Sequence, residues 1–173
     1  MTISLHEVTV GTFTQILGSV SNCLDKGLAH CRENNIDPKE LVEARLFPDM
    51  APLRFQIISV ALHSAGAIDA VKNGSFSPPS GKSDLDYVGL QKLVTDTQAK
   101  IGGLTAGDVD GLAGRDVTFK VGDMTIPFTA EGFLLSFSLP NFYFHATTAY
   151  DILRSKGVKI GKRDFLGRMK IKS

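Results

Sequence analysis

The sequence predicts an all-α fold, a four-helix bundle with a small β-hairpin placed just before its last helix. Three observations predict it. Four long segments carry apolar residues at three- and four-residue steps, the spacing that lines one side of a helix. The stretches between them are punctuated by glycine, proline, asparagine and aspartate. Only between Arg115 and Thr129 does the apolar period fall to two, the period of a strand.

The first helix is read from Leu5 to Cys31, where Leu5, Val8, Phe13, Ile16, Leu17, Val20, Cys23, Leu24, Leu28 and Cys31 share one stripe and Asn34-Asn35 end it. Asp37-Pro38 then opens a short second turn, aspartate suiting the N-cap and proline the first helical position. Asp49 and Pro52 repeat that signal ahead of a helix from Pro52 to Val71, with Phe55, Ile58, Ala61, Leu62, Ala65 and Ile68 as its stripe and Asn73-Gly74 as its end. Ser75 to Ser83, with Pro78-Pro79 and Gly81, reads as a loop. Ser83 and Asp86 have capping-box spacing, and Tyr87, Leu90, Val94 and Ile101 continue a third helix to Gly102-Gly103. From there to Gly114 the chain reads as a loop that lacks the Lys-Ser/Thr of a phosphate cradle.

Val117, Phe119 and Val121 alternate before Gly122-Asp123, and Met124, Ile126 and Phe128 alternate after it, which is a hairpin around a two-residue turn. No other segment signals a strand. The last helix is expected to start with Thr129 as N-cap and Glu131 in its first turn, and to run to Lys156 before Gly157. Pro140 lacks a backbone donor and would crowd the carbonyl four residues earlier, so a kink or break is expected there.

At 173 residues, 43% apolar and 21% charged, the chain reads as one domain, 1–173, large enough to bury a core without staples. The stretch from Met124 to Pro140 is broken by Glu131 and two prolines, so no segment is read as spanning a membrane. The start of the chain carries no export signal, and a cytoplasmic location follows as the expectation. Cys23 and Cys31 are eight positions apart on one helix, roughly 12 Å, too far for a disulfide; both read as small core residues. The net charge of +1 hides a basic extension, 158–173: from Arg154 onward eight cations face the lone Asp164, a local +7 that leaves −6 elsewhere. With no nucleic-acid module before it, that extension reads as packing over the acidic body, helped by Val158, Ile160, Phe165, Leu166 and Ile171.

Two histidines are candidates for chemistry. His63 has Ser59, Gly66, Ala67 and Ala70 on its helical face, small residues that leave room either for a ligand or for close helix packing. His145 follows Asn141 by four positions, which stacks the two on one face. His63, His145 and Asn141 could reach one ion across the bundle: two imidazoles suit a first-row transition metal, whereas an amide oxygen is a weak third donor. In the competing reading Asn141 caps a half-helix after Pro140, and both histidines are hydrogen-bonded interior residues. His6 and His30 have no such context and read as surface residues. No Ser-His-Asp order or carboxylate pair stands out.

The run Pro140-Asn141-Phe142-Tyr143-Phe144-His145, with Thr147-Thr148-Ala149-Tyr150, Leu153-Arg154 and Gly161-Lys162-Arg163-Asp164-Phe165-Leu166-Gly167, resembles a bacterial family of unknown function within the DinB/YfiT-like superfamily. Phe47-Pro48-Asp49-Met50, Phe55-Gln56, Leu62-His63 and Leu24-Asp25-Lys26-Gly27 extend the resemblance over nearly the whole chain. The resemblance implies a DinB-like bundle of the up-down-down-up type, and a homodimer. It also implies a divalent metal, nickel or zinc, held by one histidine of the second helix and an HxxxH pair of the last, with a small-molecule or thiol ligand. His63 falls at the second-helix position and His145 at the second place of the pair; Asn141 stands where the first is expected to be histidine. Two functions are therefore expected: a metal-dependent enzyme of transferase or hydrolase type with a degenerate His/Asn/His site, or a non-catalytic binding or stress-related bundle that has lost the metal.

Overall fold

A computed structural model describes residues 3–78 and 83–172. Pro79 and Gly81 of the expected loop, and Ser173 of the basic extension, lie outside the described residues. The chain is mostly helical with a small sheet of three strands. In order it forms α1 (Leu5–Asn34), α2 (Pro38–Val42), α3 (Leu53–Ala61), a π-helical turn (Leu62–Gly66), α4 (Ala67–Asn73), β1 (Ser75–Phe76), α5 (Tyr87–Gly102), α6 (Ala106–Asp110), β2 (Asp116–Val121), β3 (Met124–Thr129), a second π-helical segment (Gly132–Ser138), α7 (Leu139–Ser155) and α8 (Lys162–Leu166).

Local chemistry explains most boundaries. Ser4 Oγ accepts from Glu7 N to start α1, and Asn35 ends it in the left-handed conformation (φ 54) that asparagine tolerates. Asp37 Oδ1 accepts from Lys39 N at 2.9 Å with Pro38 in the first turn of α2, as the spacing predicts. The start of α5 differs from expectation: Asp86, not Ser83, is the cap, its carboxylate accepting from Gly89 N at 2.7 Å, while Ser83 Oγ takes Leu85 N. Inside the expected loop after Gly103, Thr105 and Asp108 form a reciprocal capping box that starts α6.

Helix α1 packs against α5 and α7, and α3 packs against the same two, so these four helices close a ring of contacts around the core. Phe13, Leu17 and Leu24 from α1, Ile57 from α3, Leu90 from α5 and Phe142 from α7 are fully buried in it. The stripe expected to face the core from the second helix is not the most buried one. Phe55 is 50% exposed, whereas Leu53, Ile57 and Val60 are at zero. That helix is apolar on nearly every side, so spacing alone could not choose its inner face.

The hairpin forms as expected, β2 and β3 pairing antiparallel around Gly122, whose φ of 56 is open to glycine. It is not the whole sheet. Ser75–Phe76, expected to be loop, pairs parallel with Thr118–Phe119, and its Phe76 is buried. Two residues are too few to show a period. Ala130 N donates to Arg115 O at 2.7 Å and Thr118 N to Gly74 O at 3.0 Å, which sets the alternation of the ladder. In that alternation Pro127 turns its donorless nitrogen toward the open edge of β3.

Thr129 caps the last helical run, its hydroxyl accepting from Gly132 N at 3.2 Å. No break follows at Pro140. The backbone continues as a π segment through Ser138, with Leu139 N donating five residues back to Leu134 O, and α7 takes over with Pro140 in its first turn. The wider π register falls just ahead of the ring, where an α turn would bring the carbonyl of Ser136 against it.

Beyond Gly157 (φ 90) the extension lies along α1. Val158 and Ile160 are buried, Phe165 packs edge-on against Tyr150, and Gln15 Nε2 donates to Leu166 O at 2.7 Å. Ile171, expected to help, is 83% exposed. The ion pair that ties the extension down joins its own acid, Asp164, to Lys26 at 2.6 Å, the reverse of basic tail on acidic body. Among the described residues no helix is long and apolar enough to cross a membrane.

The contact of Tyr87 with Gly27 gives a stability prediction. Tyr87 Oη donates to Leu24 O at 2.8 Å directly over Gly27, where a Cβ would collide with the phenol oxygen. Gly27→Ala is expected to lower unfolding free energy by about 1–3 kcal/mol in urea melts. Gly102→Ala, whose Cβ would meet nothing, serves as the control; equal behaviour of the two would contradict the packing.

Candidate functional site

The structure brings His63 and His145 together. His63 sits in the first π turn and His145 on α7, with ring centroids 5.8 Å apart and planes 15° from parallel. Each ring is held by a side chain of the opposite run: His145 Nδ1 by Gln56 Oε1 of α3 at 2.8 Å, and His63 Nδ1 by Ser138 Oγ at the end of the second π segment at 3.3 Å. Gln56 and Ser138 are themselves buried. Reasoning from the sequence missed both. A signal existed for Gln56, which lies seven residues before His63 and so on the same side of the helix.

Behind His63 stands an aromatic wall. Phe76 and Phe137 each lie 5.5 Å from its ring, and Phe119, Phe128 and Phe133 pack on those two. Phe76, Phe119 and Phe128 come from β1, β2 and β3, so the sheet is part of the site and not an ornament on the helices. His145 is half-buried and meets Phe55 and Phe144 edge-on at 5.7 and 5.3 Å; these two rings are 50% and 59% exposed and form the outer rim. The segments that carry the site, residues 55–68 and 132–150, contain no charged side chain.

Burial with no countercharge dictates the protonation state. His145 is pulled down to about 4 from the usual 6.5 by desolvation, and His63 to about 4 by desolvation and then by the neighbouring imidazole. Both rings are neutral at pH 7, with one nitrogen engaged through Nδ1. Among the described residues their Nε2 atoms make no hydrogen bond to protein.

Asn141 does not take the capping role foreseen for it, because the helix is continuous; its Nδ2 donates to Phe137 O at 2.7 Å, one turn back. That bond orients the amide, and among the described residues Oδ1 accepts no hydrogen bond. Among the described residues no three His, Cys, Asp or Glu side chains converge as a metal set. The donors at hand are two imidazole nitrogens and one amide oxygen. His6 and His30 stay apart from them, His6 on Leu104 O at 3.2 Å and His30 beside Asn34, each half-buried. Cys23 and Cys31 are free and buried, and burial raises the Cys23 thiol to about 11.

Residues 5–166 match a family described as a domain of unknown function, DUF1993. The chain belongs to the DUF1993 family. A solved structure of a DinB family member protein from Shewanella denitrificans is similar to this DUF1993 chain, with a TM-score of 0.80 and 25% identity over 98% of this chain and 95% of that one. A search of curated proteins found no match. The DUF1993 chain is thus related to the DinB-like fold, with a mostly helical body and its small sheet.

The depressed histidines predict a pH dependence. Unfolded, each histidine binds its proton near pH 6.5; folded, only near 4. Stability is therefore full above about 6.5 and falls between there and about 4, each histidine adding up to about 1.4 kcal/mol per pH unit to the slope. Urea midpoints measured across that window should show the decline, and His145→Gln should make it shallower. An unchanged slope in the variant would place the titration elsewhere.

Proposed function

We propose that this DUF1993 protein is a DinB-like metal-dependent enzyme of transferase or hydrolase type. Its site binds one divalent transition metal, nickel or zinc, through Nε2 of His63 and of His145. Asn141 Oδ1 serves as a third, weaker donor, and a small molecule or a thiol takes the remaining positions. The observation that carries this reading is the pair of outer bonds. Metal-binding imidazoles characteristically use one ring nitrogen for an orienting hydrogen bond and the other for the ion. Gln56 and Ser138 are placed to supply those bonds, and they free the same nitrogen, Nε2, on both rings. Neutrality at pH 7 removes proton competition for the two lone pairs. Bound there, such an ion would supply Lewis acidity to a transfer or hydrolysis reaction.

The same reading takes the ring of four helices as an up-down-down-up bundle forming one domain, 1–173, in a cytoplasmic protein. It takes the homodimer as the working form. Leu135, Tyr143 and Phe144, each at least 40% exposed on a face of the last helical run that bears no charge, support an association there.

A second reading is favoured by the amide at Asn141, which replaces a strong donor and is already engaged with Phe137 O. In it the chain is a non-catalytic binding or stress-related protein that keeps the bundle without the metal.

Elemental composition of protein purified without a His tag separates the two. The metal reading expects stoichiometric nickel or zinc, lost in His63→Ala and in His145→Ala. Asn141→His is expected to tighten binding by at least about tenfold in calorimetric titrations, since an imidazole replaces an amide. Protein that carries no metal, and whose thermal stability is unmoved by added Ni²⁺ or Zn²⁺, belongs to the second reading.

A further inference from the structure

We propose that Gln56 is a positioning residue that locks His145 into a single tautomer, protonated on Nδ1 and bare on Nε2. The inference deepens the reading above, in which His145 acts through Nε2, but it needs no metal to be tested. It begins with a backbone carbonyl. Gln56 Nε2 lies 2.9 Å from Ala51 O, and a carbonyl oxygen can only accept, so the amide nitrogen must be the end that faces it. The other end, Oε1, is then fixed toward His145 Nδ1 at 2.8 Å. An amide oxygen also only accepts. The proton of the neutral imidazole must therefore reside on Nδ1, and the lone pair on Nε2.

Reversing the amide would set two oxygens against each other at Ala51 and is not an available alternative. Gln56 is 2% exposed, so water does not substitute for either bond. The carbonyl that starts the relay is pinned as well: Leu53 N donates to Ala44 O at 3.0 Å and Arg45 to Met50 O at 2.6 Å, on both sides of Ala51. The phenyl rings of Phe55 and Phe144 beside His145 carry no polar atom to compete for Nδ1, and among the described residues Gln56 Oε1 is the hydrogen-bond partner of that nitrogen. His63 has no such lock. Ser138 is a hydroxyl, able to donate or accept, so His63 takes whichever tautomer its surroundings require. The two imidazoles are thus unequal: one a committed acceptor through Nε2, the other adaptable.

The test is long-range ¹H–¹⁵N correlation of the histidine side chains in the full-length, ¹⁵N-labelled protein at pH 7 after EDTA treatment. His145 is expected to show a pyrrole-type Nδ1 and a pyridine-type Nε2. Gln56→Met, which keeps length and removes both polar atoms, should move His145 toward the Nε2-protonated form that free imidazole favours, while His6 and His30 stay as they were. A protonated Nε2 or an even mixture in the wild type overturns the proposal, and this holds even if Gln56→Met fails to fold. So does a folded Gln56→Met protein with an unchanged His145 pattern. Adding Zn²⁺ gives a separate arm: binding weakened by about tenfold or more in the folded variant adds support. If the wild type takes up no Zn²⁺, the metal reading falls while the locked tautomer still stands on the spectrum.

Discussion

Where α3 meets α7 the interior holds polar side chains but no charge, and two hydrogen bonds cross it in opposite directions, Gln56 to His145 and Ser138 to His63. A polar side chain buried there without a partner would cost about 1–3 kcal/mol, so the two helical runs can settle only where both bonds form together. Apolar stripes alone tolerate sliding and rotation, because any leucine or phenylalanine face is acceptable to another. The crossed bonds do not. They set the register of the two runs, and that register places the imidazoles side by side.

The π turns serve the same end. Each departs from the regular helical count, and since an α-helix advances about 100° per residue, even one added position redirects every side chain beyond it. His63 lies inside the first of these irregularities, and Ser138 closes the second. Side-chain hydroxyls accompany both segments: Ser64 Oγ donates to Val60 O and Ser136 Oγ to Gly132 O. The sheet then walls off the inner side of the pair with phenylalanines, so the only polar atoms left on the rings are those the outer bonds have not claimed.

Much of the fold was legible in the sequence because its signals are local. Asp37-Pro38 as a helix start, Asn34-Asn35 as a stop, and Gly122-Asp123 as a hairpin turn each depend on a few adjacent residues, and each stands where expected. His63 and His145 could be paired by spacing and resemblance. What stayed hidden was non-local or irregular. The strand at Ser75–Phe76 exists only because β2 offers it a ladder. Pro140 announces a disturbance, but nothing in its neighbourhood says that a π register will precede it and carry the helical run through without a break. Gln56 reads as an ordinary polar residue on an apolar helix until α7 brings a histidine to it. The inner face of that helix was equally hidden, since Phe55, the most conspicuous member of its stripe, ends at the surface.

Pro127 bears on what can attach to this molecule. On the open edge of β3 the outward backbone donors are those of Thr125 and Thr129, and between them the proline ring takes the place of the middle rung. A strand from another chain laid along that edge would find its ladder interrupted at the centre, which is how natural sheets avoid recruiting their neighbours. The sheet therefore does not grow on that side, and stacking of copies edge to edge through β3 is disfavoured in the folded protein. The homodimer proposed above would use the helical faces instead, where the uncharged rim of the paired imidazoles lies.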